Sequence, residues 1–118
     1  MNRRAAIVLF MVLIGMSPAC RKTTVEIPEG ILKPVEMTAL LADIHVVQAA
    51  VSLHSATDTS FTPFAAYAPA IFSNHGITSA TYDSSLVFYT RHPELLDSIY
   101  KNVIVTLSRR QSEEEGRN

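Results

Sequence analysis

The chain has no tryptophan, only four glycines and a single cysteine among its 118 residues. One cysteine cannot form an internal disulfide, so no cystine framework supports the fold. Gly30 and Gly76 stand alone, which leaves no glycine-rich loop to cradle a phosphate. No Gly-x-Ser-x-Gly turn presents a serine nucleophile, and no run alternates with period two as a strand would. Long apolar runs are also missing, with one exception at the start. Asn2-Arg3-Arg4 precedes the apolar stretch Ala5 to Met16, and Ser17-Pro18-Ala19 leads into Cys20. That order of charge, apolar run and small residues is the grammar of a bacterial lipoprotein export signal. The run is shorter than the ~20 residues a spanning helix needs. Residues 1–19 are therefore expected to be a removed signal peptide, with Cys20 the lipid acceptor that ties the mature chain to a membrane.

Removing residues 1–19 cuts Lys plus Arg from 10 to 8 against 11 acids, so the formal charge falls from −1 to −3. A nucleic-acid partner, which needs a basic face to neutralise phosphates, is not expected. The length fits one small domain, whose core is marginal without disulfide or metal. Residues 20–33 read as a lipidated, flexible tether: Pro28 and Gly30 interrupt them and neither period is sustained. Val25, Ile27, Ile31 and Leu32 could still dock on the domain.

The rest reads as an all-α domain, a small bundle of about four helices over residues 34–110. In the first helix Met37, Leu40, Leu41, Ile44, Val47 and Val51 form one stripe, while the opposite side carries alanines instead of charge. Such a helix belongs at the centre of a bundle. After a polar connection, Thr62-Pro63 predicts a second helix kinked at Pro69 and closed at His75-Gly76, the less favoured alternative being a much shorter helix that starts at Pro69. Thr78 caps a third, Ser79 to Arg91, with Tyr82, Ser85, Leu86 and Tyr89 inward. The fourth, Pro93 to about Arg110, divides cleanly into an apolar and a polar half, broken only by Val105. Glu113-Glu114-Glu115 is unfavourable at the negative end of a helix, so residues 111–118 are expected to form a disordered tail.

Few residues could carry chemistry. Asp43 and His45 point about 200° apart on a helix and cannot act as one acid–base pair; they are a weak polar-site candidate. His45, His54, His75 and His92 lack the i, i+4 spacing of a helical zinc site, so no metal and no cofactor is expected. The aromatic residues of the last three helices suit core packing or a groove for a partner. Phe88 and Val105 lie off the inward stripes, which makes them the candidate partner-binding residues.

The strings Leu41-Ala42-Asp43-Ile44-His45, Ile71-Phe72 before His75-Gly76-Ile77-Thr78, Tyr82-Asp83-Ser84-Ser85-Leu86 with Tyr89, and His92-Pro93-Glu94 with Ile99-Tyr100 resemble a domain-of-unknown-function family of small Bacteroidota lipoproteins. The resemblance spans nearly all of residues 34–107. It implies a helical lipoprotein domain on the cell envelope and carries no activity with it. Arg21-Lys22 follows Cys20 where surface-exported lipoproteins of such bacteria tend to carry acids, which favours the periplasmic face of the outer membrane. The expected function is an envelope interaction or accessory module that meets another envelope protein, without catalytic residues. The alternative is a small hydrolase or other enzyme using Asp43 or His45.

Overall fold

The computed structural model describes residues 24–55 and 62–117. The expected signal peptide, the Cys20 anchor and most of the polar connection after His54 lie outside them. Four α-helices make up the domain: α1 (Pro34–Ser55), α2 (Ala68–Asn74), α3 (Ser79–Thr90) and α4 (Pro93–Glu115). Among the described residues there is no strand. The expected all-α bundle is therefore the observed fold class.

The start of α1 is fixed by its sequence. Pro34 occupies the first helical position, where its missing N–H costs nothing. Glu36 reaches back to accept the Lys33 N–H at 2.8 Å, one half of a capping box. Although α1 is long and apolar enough to span a bilayer, its first half is committed to the core. Met37, Leu40, Leu41, Ala42 and Ile44 are buried with Leu32, Ile71, Tyr89, Ile99 and Val103. The helix packs most extensively on α4. Past Ile44 the burial stops: Val46, Ala49, Ala50 and Leu53 are exposed. The central-helix expectation thus holds for the first half of α1 only.

The second helix departs from the expected one. A single 3-10 turn at Phe64–Ala66 ends at Tyr67, and α2 begins afresh at Ala68 with Pro69 in its first turn. A proline there removes no helical hydrogen bond, so the chain breaks at Tyr67 and needs no kink at Pro69. Helix α2 closes in a Schellman cap. Gly76 takes φ +64°, its N–H bonds the Ser73 carbonyl at 3.0 Å, and the Ile77 N–H bonds that of Phe72 at 3.0 Å. Thr78 caps α3 by accepting the Thr81 N–H at 3.1 Å.

At both ends the domain is longer than expected. Helix α4 runs to Glu115, through residues expected to be a disordered tail. Side chains support the extra turns: Gln111 to Glu115 at 2.9 Å, Ser112 to the Ser108 carbonyl at 3.0 Å, Arg109 to Glu113 at 3.9 Å, and Arg117 to Glu114. Each such surface pair contributes about 0.2–0.5 kcal/mol, and together they oppose the dipole penalty of the three acids. The boundary expected at residue 34 also falls too late. Leu32 is buried in the core, so the segment before α1 is a docked strap and not a wholly loose tether.

Candidate functional site

Leu32 shows how the strap is held. Its backbone N–H donates to Ser85 Oγ at 2.9 Å, and its carbonyl accepts from the Tyr89 hydroxyl at 2.6 Å. Both backbone groups of one buried residue are thus satisfied by side chains one turn apart on α3. Ser85 Oγ in turn donates to the Thr81 carbonyl at 2.7 Å, so its donor is also used. Burial raises the Tyr89 hydroxyl pKa, with the Glu36 charge adding to it. The phenol therefore stays a neutral donor over a wide pH range.

The second polar cluster centres on Asp43. One carboxylate oxygen accepts from His75 Nε2 at 2.8 Å, and the other from an Arg110 guanidinium nitrogen at 2.7 Å. Helix periodicity places Asp43 on the border of the buried stripe, the Schellman cap fixes His75 at the end of α2, and Arg110 comes from α4. Partial burial pushes the Asp43 pKa up. The hydrogen bonds and charges of Arg110 and His75 outweigh it, so the net shift is below the ordinary carboxylate value. Beside the cluster lies an open depression of about 220 Å³, lined by Asp43, Val46, Val47, Ile71, Asn74 and His75. No side-chain hydroxyl or thiol is among those residues. Among the described residues no group of three His, Cys, Asp or Glu side chains could hold a metal ion.

The weak polar-site pair is separated in space as its spacing requires. Asp43 turns to His75 and Arg110, whereas the His45 ring lies 6.2 Å from that of Tyr100. The partner of Asp43 was hidden by distance along the chain: His75 is 32 residues away and Arg110 is 67. No local pattern announces such a meeting.

Of the two candidate contact residues, only Val105 is open to solvent, at 66% of its full exposure. Phe88 is half-buried against the core. Its ring meets Tyr89 edge-on at 5.3 Å and His92 at 4.6 Å. The expectation that Phe88 lies outside the core is corrected: α3 buries a wider arc than its inward stripe, because the His92 turn folds under it. Exposed apolar residues that sequence reading did not single out include Ile104, Val46 and Val35, at 63%, 48% and 74%. The signal for Val46 was available, since the second half of α1 carries no charge to solvate it.

No curated protein and no solved structure matches the chain. A family model does match, over residues 28–113. It begins at Pro28 and so takes in the second part of the strap with the Leu32 clamp, as well as α4 up to Glu113. The chain belongs to the domain-of-unknown-function family DUF4296.

Proposed function

We propose that the protein is an envelope lipoprotein, held to the outer membrane by lipid on Cys20, which works by contact with another envelope protein and not by catalysis. The observation that carries the contact reading is the second half of α1. From Ile44 to Ser55 there is no Asp, Glu, Lys or Arg, and Val46, Ala49 and Ala50 at i, i+3 and i+4 are exposed. A helix face that meets only water is normally polar, and a contiguous apolar one marks a contact surface. Val105 and Ile104 on α4 are further apolar residues left open to a partner. The anchor reading is carried by the Arg3-Arg4, apolar run and Ala19-Cys20 order. The clamped Leu32 is twelve residues along the chain from Cys20, so the domain rides within about 40 Å of its lipid. Arg21-Lys22 supports the periplasmic side.

Crosslinking in cells tests the contact. Val46→Glu and Val105→Glu are expected to reduce capture of the same envelope protein while the melting temperature is unchanged. Capture unaffected by both variants would refute it. For the anchor, Cys20→Ser is expected to abolish fatty-acid labelling, and labelling that persists would exclude Cys20.

A second reading rests on the Asp43–His75 pair, because a carboxylate that orients an imidazole is a common catalytic element. The depression beside the pair offers no nucleophile, and Arg110 occupies the other oxygen, which suits a structural joint. A folded Asp43→Asn protein that loses the cellular phenotype, beside a Val46→Glu protein that keeps it, would favour the enzyme.

A further inference from the structure

The strap and the start of α1 enclose a second hollow, of about 710 Å³, lined among others by Val25, Ile27, Ile31, Pro34 and Val35. Val35 forms its outer lip and is 74% exposed although it lies in the first turn of a well-packed helix. The strap alternates: Thr24 and Glu26 point outward, while Val25 and Ile27 are half-buried. The result is a concave apolar surface at the end of the domain where the chain arrives from Cys20.

Thr24 is only four residues along the chain from Cys20, a reach of about 14 Å at full extension. With lipid on Cys20 inserted in a bilayer, that reach brings the strap and Val35 to the depth of the headgroups and the upper acyl chains. The charged residues that line the hollow are Glu29 and Glu36 against Lys33, a net negative set. Electrostatic attraction to an anionic surface is therefore not what would hold it there, and apolar contact is. We infer that the hollow bounded by the strap and Val35 is a lipid-docking surface, which seats the domain directly on the bilayer and so fixes which of its faces look away from the membrane. The inference rests on the Cys20 anchor proposed above and adds an orientation to it. In that orientation the Val46 face and α4 are presented by a seated body instead of a tumbling one.

Because the chain has no tryptophan, a single introduced indole reports its own surroundings. Full-length, lipid-bearing Val35→Trp and Ile104→Trp proteins would be placed in phosphatidylcholine vesicles containing brominated lipid. Docking predicts a blue-shifted, quenched indole for Val35→Trp, unchanged at high salt, and a water-exposed, unquenched indole for Ile104→Trp. If both proteins float with the vesicles and the Val35→Trp indole is unquenched, docking is wrong while the anchor stands. An indole that is unquenched but shifts blue with protein density would give the hollow to a second copy of the chain, and would equally overturn lipid docking. Proteins that do not float at all would overturn the anchor and the docking together.

Discussion

Tyr89→Phe removes one oxygen atom from a fully buried ring and leaves the packing of that ring intact. What it takes away is the 2.6 Å hydrogen bond to the Leu32 carbonyl. That carbonyl belongs to a residue only 8% exposed, so water does not readily replace the phenol. A net hydrogen bond contributes about 0.5–1.5 kcal/mol, and an acceptor left buried without a partner costs about 1–3 kcal/mol. The expected loss is therefore about 1–2 kcal/mol. For a domain of this length, whose total stability is on the order of 5–10 kcal/mol, that is a large fraction. Ser85→Ala deprives the Leu32 N–H in the same way and should cost a similar amount. The two losses should not add, since once either bond is broken the strap can lift and hydrate the other group. Urea unfolding of the two single variants and the double variant measures this directly, and limited proteolysis ahead of Pro34 reports the strap by itself. If Tyr89→Phe unfolds at the parent urea concentration and the strap is cut no faster, the clamp does not hold the strap.

Gly76→Ala meets no steric obstacle, since nothing lies within 4 Å of the added methyl. The positive φ alone should cost about 1–2 kcal/mol by thermal melting, and an unchanged melting temperature would contradict the cap. Phe88→Ala should destabilise by about 2–3 kcal/mol, below the 3–5 of a fully buried ring, whereas Val105→Ala should stay within about 0.5 kcal/mol; calorimetry on the pair decides. Asp43 has a folded-state pKa below its unfolded value near ~3.9, so its contribution is complete above that pH and is lost as pH falls through the lower folded value. Asp43→Asn should flatten the stability curve there, and a curve as steep as the parent's would remove Asp43 from the acid transition. Tyr82 and Tyr89 are shifted upward, each by burial first, with nearby charges adding. Their contribution is therefore present below about pH 10 and is lost as pH rises through the folded values. Tyr89→Phe should lessen the alkaline loss, as followed by circular dichroism.

The helices were legible because burial imposes a 3.6-residue period, which α4 shows along its centre, although Tyr100 and Ile104 of its apolar half are exposed. Ile99 and Val103, the expected centre of its apolar half, are its fully buried residues. Pro69 is ambiguous in the sequence for a positional reason, and the structure takes the less favoured alternative, a short helix. A proline interrupts a helix only from its second turn onward, and the sequence does not say whether Tyr67 lies inside or before the helix. That Leu32 could dock was legible from its apolar character, but how it is held was not, because its hydrogen bonds are made with side chains 53 and 57 residues away. Neither period nor turn chemistry registers an extended segment pinned at one residue.

The same distance effect bears on function. The polar contacts that join separate elements inside the domain, Ser85 and Tyr89 on Leu32 and the Asp43 hub with His75 and Arg110, each tie one segment to another and consume the groups they use. Their donors and acceptors point at protein, which is what a small helical domain without disulfides needs to fix the relative positions of its parts. A catalytic group must instead aim some of its capacity at an open space. Among the described residues, large apolar side chains also face outward: Val35 by the strap, Val46 on the uncharged half of α1, and Ile104 and Val105 on α4. Hydrocarbon in those positions gains free energy only by being covered. On the proposed reading that cover is lipid at the strap and protein along α1 and α4, so the search for this domain's role should begin there, ahead of its histidines and carboxylates.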